Sequence, residues 1–272
     1  MWSEDIAIEL WNLIVGNEIY NINCNTWLSI VNHRDIYDDQ PPTGKLNLWI
    51  HDVKMIDQDG ISNKEAIEMA TPYMTVSDSY FKDKGFGMAV WMEGKKDMTI
   101  RNNIFYNAVD HSNNWAAGAG VFVPDVVDGL FVYNNVFEYC GTSIHMKGTV
   151  TNSKFKNNVF INPITMDVYA PGKTFEFTNN IKFTAVNQPW KIEGSAIMSN
   201  NYLGNPGFLN TGNRWDTYYR PASSSSLVIA KGVDVGLPFI GVAPEIGRWE
   251  FTGAGGREEI SPVAEEEVVN TY

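Results

Sequence analysis

Carboxylates recur at a fixed offset in this chain. Asp57 and Asp83 each stand five residues beyond an Asp that marks a repeat, Asp52 and Asp78, and Asn107, Tyr139 and Asn162 hold the same offset later on. If successive repeats stack, Asp57 and Asp83 lie one strand spacing apart, about 4.8 Å. Asp59 then stands near them, with Asp110 and His111 on a following repeat. Like charges that close either share a proton, which raises one pKa, or hold a cation. Asp57, Asp59 and Asp83 are therefore candidate ligands for calcium, and no Gly-rich nucleotide motif calls for an organic cofactor. Asp57-Gln58-Asp59-Gly60 begins like a calcium loop but lacks the Glu that closes an EF-hand. A solvated polar turn is the alternative reading of the column.

Two reactions suit such groups. A glycoside hydrolase uses two carboxyl groups, roughly 5 Å apart for retention and farther for inversion, and Asp57, Asp83 and Asp110 are the candidates. A lyase needs a base for the proton next to a uronate carboxylate and a cation to neutralise that carboxylate. His111 is the best base, with Lys84 and Arg101 as further choices. A second column comes from counting back along the repeats: Glu68, Trp91, Phe122, His145, Val168 and Lys191 outward, with Met69, Met92, Val123, Met146, Tyr169 and Ile192 inward. Glu93, Lys147 and Glu193 follow in the next outward position. Such a ridge would bind a glycan, with His145 or Lys147 as proton carrier. Trp91, Trp115 and Trp215 fall in or beside turns, where indole faces can meet sugar rings. A solvated sheet face and stacked core aromatics are the plain alternatives. Ser/His/Asp catalysis lacks support because no GxSxG elbow occurs.

The element that must position these groups is a repeat. Thr99-Ile100-Arg101-Asn102-Asn103-Ile104-Phe105 returns as Phe131 to Phe137, Lys154 to Phe160 and Phe175 to Lys182: a short apolar run, an Asn-Asn corner and a second run. The first Asn or its equivalent gives the markers Asn17, Asp52, Asp78, Asn102, Asn134, Asn157, Asn179 and Asn200, about 21 to 35 residues apart. The short intervals fit one bare coil of a right-handed parallel β-helix, and the long ones carry insertions, notably 32–42 and 107–120. About eight coils result. The second Asn of each pair, Asn103, Asn135, Asn158, Asn180 and Asn201, would stack as an amide ladder. Ile104, Phe105, Val136, Phe137, Val159 and Phe160 would supply the core.

The 272 residues, 44% of them hydrophobic, suffice for one elongated solenoid over 1–251, followed by an acidic linker or tail over 252–272. A net charge of −12 and no basic run argue against nucleic acid, which needs clustered cations. The same charge suits a neutral polysaccharide, or an acidic one held through calcium. Cys24 and Cys140 fall about four coils apart, roughly 19 Å at the strand spacing, too far for a disulfide. No apolar run reaches the length of a membrane span, and a monomer is expected. The chain enters a coil almost at once and lacks a basic-then-apolar leader, so a signal peptide, a cap and earlier coils are expected to precede it.

Gly232-Val233-Asp234-Val235-Gly236 and Pro244-Glu245-Ile246-Gly247-Arg248-Trp249-Glu250-Phe251 carry a resemblance. They look like the closing segment of secreted bacterial right-handed parallel β-helix proteins of the polysaccharide lyase and glycoside hydrolase type. The likeness extends from about Asn17 to Phe251. It implies a secreted or cell-surface carbohydrate-active enzyme that cleaves a polysaccharide, by β-elimination in the leading reading. A glycoside hydrolase is the alternative enzyme, and a non-catalytic glycan-binding or adhesive solenoid the alternative of another class.

Overall fold

A computed structural model describes the strands at 6–11, 18–19, 23–25 and 29–33 through their pairing, and residues 48–56, 65–69, 72–89, 95–109, 118–211 and 218–251. The acidic stretch 252–272 lies outside the described residues. The chain winds as a parallel β-solenoid, and no helix among the described residues is long and apolar enough to cross a membrane. One sheet has fifteen strands and the other eight. The larger sheet supplies two faces, because the long strand Met166–Thr178 runs through the corner between them. The first face includes Glu65–Glu68, Phe86–Ala89, Ala119–Val123 and Thr142–Met146. The second includes Trp49–His51, Thr75–Ser77, Lys95–Arg101, Val127–Tyr133 and Ser153–Lys156. The third is the eight-stranded sheet, from Asn23–Asn25 to Tyr202–Leu203.

The repeat pattern explains the corners. Asp52, Asp78, Asn102, Asn134, Asn157, Asn179 and Asn200 all have φ between 51° and 57°. This left-handed conformation disfavours most side chains but suits Asn and Asp, whose short polar groups bond locally. A second left-handed column, Asp83, Asn107, Tyr139 and Asn162, falls at the expected offset of five. Between the two columns each coil makes a three-residue strand such as Ile104–Tyr106 or Val136–Glu138.

The asparagine ladder is present. Backbone N–H groups of Asn103, Asn135, Asn158 and Asn180 donate to Oδ1 of the Asn one coil on, at 2.9 to 3.0 Å. Each of these amides also donates to that same oxygen, at 3.1 Å. At its start a hydroxyl takes over, Ser79 Oγ accepting from Val53 N–H at 3.0 Å. Beside the ladder Phe81, Phe105, Phe137 and Phe160 stack through the interior, with ring centroids 5.4, 4.9 and 5.3 Å apart. Glycine lets the rings lie flat: a Cβ on Gly87 would come within 2.2 Å of Phe105, and one on Gly120 within 2.5 Å of Phe137. The phenylalanine column ends in Lys182, which pairs with Phe160 in register and sends Nζ to Asp167 Oδ2 at 2.6 Å inside the core.

Three expectations need correction. Ile104, Val136 and Val159 are buried, but on the outer side of the third face, in a cluster with Tyr219, Val228, Ile246 and Trp249. The cover is the C-terminal segment, which runs back along this face rather than across the last coil. Asn179, Asn157 and Asn134 amides donate to the carbonyls of Lys231, Val233 and Gly247, and Arg248 reaches the Asp78 carbonyl. The third correction concerns the counted ridge. The pairing aligns Glu68 with Ala89, Phe122, His145, Tyr169 and Glu193, so Ala89 and Glu193 hold the positions that counting assigned to Trp91 and Lys191. Val168 faces the core and Tyr169 faces out. The corner between first and second faces varies in length, so counting back from the Asn marker slips by one or two residues. Cys140 is a buried free thiol, and Cys24 sits four coils from its own.

Candidate functional site

Two of the three faces are covered. On the first, Glu68, Phe122 and His145 are 7%, 2% and 5% exposed. Phe86 stacks on Phe122 at 4.9 Å, and His145 meets Phe122 and Tyr169 edge-on at 5.2 and 4.8 Å. Burial, then the charges of Lys147 and Lys173, push the His145 imidazole down to about 4. A neutral, packed ring is the result, not a surface proton carrier; Lys147 just beyond it is exposed. On the third face the C-terminal segment buries the outward residues, including Glu138, whose carboxylate accepts from the Tyr219 hydroxyl.

The second face is open around Phe131, Lys154 and Lys156 and closes toward its N-terminal end, where His51 is 9% exposed and Ser77 is fully buried, and alternation along its strands decides what it shows. Ile50, Val76, Ile100, Val132 and Phe155 point inward and are fully buried. Their neighbours point out and form two columns across the coils. One runs Trp49, Thr75, Thr99, Phe131, Lys154, Glu176, and the other His51, Ser77, Arg101, Tyr133, Lys156, Thr178. Phe131 and Tyr133 lie nearly parallel, centroids 6.0 Å apart, with the Lys154 ammonium 5.9 Å from the Phe131 ring. Lys156 bonds Glu176 at 2.8 Å. Beside them an open groove of about 750 Å³ is lined by Phe131, Asn152, Lys154, Lys173, Glu176 and Ile197, among others. Lys154, Lys156 and Lys173 thus gather near Glu176, while Arg101 lies three coils back with Asp78 as its nearby carboxylate, in a chain whose net charge is −12.

At the N-terminal end of this face the groups are held more tightly. The His51 ring stacks on Trp49 with centroids 4.0 Å apart, and Nδ1 meets Asp52 Oδ2 at 2.7 Å. Asp52 is a left-handed corner residue, so the repeat itself puts a carboxylate beside the imidazole. Trp49 Nε1–H donates to Ser77 Oγ at 2.9 Å, and the Arg101 guanidinium lies 5.9 Å from the indole. Burial lowers the Arg101 pKa and Asp78 counters it. Tyr133, next in the column, is pushed up to about 12 by burial and by Glu176, so its hydroxyl keeps its proton at neutral pH.

Of the residues singled out from sequence, Arg101 is on the open face. Asp83 is a corner residue whose Oδ1 accepts from Asn107 Nδ2 at 2.7 Å, with Lys82 Nζ 3.5 Å from its Oδ2. Lys84 is 1% exposed and so is buried away from any substrate. Asp57, Asp59, Trp91, Glu93, Asp110, His111, Trp115 and Trp215 lie outside the described residues. Among the described residues no group of three or more His, Cys, Asp or Glu is arranged to hold a metal ion. Counting from the corners overlooked Trp49, His51, Phe131, Tyr133, Lys154 and Lys156. The signal was there: Phe131-Val132-Tyr133 and Lys154-Phe155-Lys156 each place an inward apolar residue between two outward functional ones. No protein-family model matches this chain, and neither a curated protein nor a solved structure matches it.

Proposed function

We propose that the protein engages an acidic polysaccharide along the second face and cleaves it by β-elimination. The observation that supports this reading best is the pair of outward columns on the second face, open around Phe131, Lys154 and Lys156. They set aromatic surfaces and cations side by side in an otherwise acidic chain. Successive coils stand about 4.8 Å apart, close to the rise of one sugar along an extended chain. Phe131 and Tyr133 offer rings to sugar faces, while Arg101, Lys154 and Lys156 offer donors to carboxylates.

In this reading the reaction belongs to the Trp49, His51, Asp52, Arg101 group. In the proposed step Asp52 holds Nδ1 of His51 and Nε2 is assigned to take the proton, which requires the substrate to reach a ring that is 9% exposed. Arg101 neutralises the uronate carboxylate and acidifies the adjacent carbon. His51 takes that proton, its electron pair forms the double bond, the glycosidic carbon–oxygen bond breaks, and water or a hydroxyl returns a proton to the leaving oxygen. His51 takes the proposed base role in place of His111, because Asp52 orients its ring. Asp83 stands at the corner that joins the third face to the first, across the solenoid from the outward columns, so calcium bound there would act apart from a substrate on the second face. A polysaccharide substrate implies action outside the cell or at its surface. The ion pair between Lys156 and Glu176 favours one other reading, a non-catalytic glycan-binding face, since a satisfied cation binds without reacting.

The test is incubation with a panel of acidic and neutral polysaccharides, following ultraviolet absorbance of unsaturated ends beside total reducing ends, with and without chelator. Both signals should rise together on an acidic polymer, and His51→Ala should reduce them by about a hundredfold or more while retention on the same polymer persists. Arg101→Gln should weaken retention as well. Retention with no new ends would replace the enzyme by a binder. Reducing ends alone would indicate a hydrolase.

A further inference from the structure

The last coil is built like the others, but among the described residues nothing covers it. Met198 occupies the inward position that Phe177 and Phe155 hold in the coils before, yet it is 46% exposed where they are fully buried. Leu203 follows Lys182 and Phe160 and is 47% exposed where they are 1% and 0%. The ladder is open at the same place. Asn201 accepts from Asn180 and donates to the Phe177 carbonyl, but among the described residues no acceptor meets its backbone N–H, which in the preceding coils bonds the next Asn. An exposed core and an unused strand edge form a site for one more coil.

Residues 252–272 lie outside the described residues, and their sequence names the occupant. Glu267-Val268-Val269-Asn270-Thr271-Tyr272 follows the pattern of Ile197-Met198-Ser199-Asn200-Asn201-Tyr202. Val268 matches the inward Met198, Asn270 the left-handed corner Asn200, and Tyr272 the strand residue Tyr202. Thr271 falls at the ladder position, and a hydroxyl is what ends the ladder at its other end, where Ser79 Oγ accepts a backbone N–H. The chain can reach. Arg248 bonds the Asp78 carbonyl, five coils before the last, about 24 Å away. Residues 252–266 extend up to about 50 Å.

We propose that residues 267–272 dock on the terminal coil as an added parallel strand and corner, with Val268 over Met198 and Thr271 Oγ1 accepting from the Asn201 backbone N–H. The test uses the full chain carrying Ser199→Cys and Val269→Cys, whose Cα atoms would then lie within disulfide range. Mild oxidation followed by peptide mapping should give an intrachain 199–269 disulfide in most molecules, and Ser199→Cys with Arg257→Cys should give little. Hydrogen exchange provides a readout that does not depend on the cysteines. Val268→Asp with Thr271→Gly should speed exchange of the amides of 192–203 by about tenfold or more, leaving those of 127–156 unchanged. A disulfide between two chains would assign the terminal coil to a second copy and overturn the proposal. So would the absence of the 199–269 disulfide together with unchanged exchange; if the paired cysteines prevent folding, exchange decides alone.

Discussion

Asn158 engages every polar atom of its amide with neighbouring coils. Its oxygen accepts from the backbone and side chain of Asn135, and its nitrogen donates to the Val132 carbonyl and to Asn180. Asn158→Leu leaves those buried partners unsatisfied, at about 1–3 kcal/mol for each unpaired group. A net loss of about 3 kcal/mol in urea denaturation is expected. Asn158→Ser should lose less, because a hydroxyl still accepts the Asn135 N–H in the way Ser79 accepts that of Val53. His145 acts in the opposite sense, as a group that folding keeps uncharged. Its pKa falls from 6.5 to about 4, so between those values the unfolded chain binds the proton that the folded chain refuses. Stability is expected to fall as pH drops through this window. His145→Phe should flatten that dependence in thermal melts between pH 7 and pH 4, and an unchanged slope would show that other groups govern it.

Among the elements, the coil carrying Asp167 is the most demanding. Asp167 and Lys182 are 0% and 1% exposed, Oδ2 also accepts from the Lys191 backbone N–H at 2.6 Å, and among the described residues Oδ1 has no hydrogen-bond partner. Burial raises the Asp167 pKa even with the ammonium beside it. Removing one partner strands a buried charge, so Asp167→Ala should cost about 3–5 kcal/mol. Asp167→Leu with Lys182→Met should cost far less in the same denaturation experiment. The coils themselves were legible in the sequence, because left-handed corners demand Asn or Asp and those residues recur in register. Lys182 was legible only in part: the repeat puts it at the inward position of Phe137 and Phe160, but nothing local to it shows that Asp167 stands there to pair with its charge. The candidate face was half legible. Strand alternation marks Arg101, Tyr133 and Lys156 as outward, but nothing local to them says that the other two faces are covered.

At the scale of the molecule, burial divides the solenoid unevenly. The first face is packed over from Glu68 to His145, the third is bound by residues within 205–211 and 218–251, and the second carries the aromatic and cationic columns. A substrate laid across successive coils therefore meets one long face in place of a closed pocket, which fits cleavage within a polymer better than trimming from its ends. In the proposed cleavage of an acidic polymer, viscosity is expected to fall well before reducing ends accumulate. A proportionate change in both would indicate attack from chain ends.

The C-terminal segment has a further consequence. It bonds Asn179, Asn157 and Asn134 in turn and then, through Arg248, the Asp78 carbonyl, so its spacing is matched to the rise of the coils beneath it. It works as a ruler. Duplicating or deleting a coil anywhere from Asp78 to Asn179 would move these contacts out of step by one rise, about 4.8 Å, although every coil-to-coil junction stayed intact. Repeat number, which a bare solenoid leaves free to drift, is fixed along this stretch by residues that belong to no coil at all.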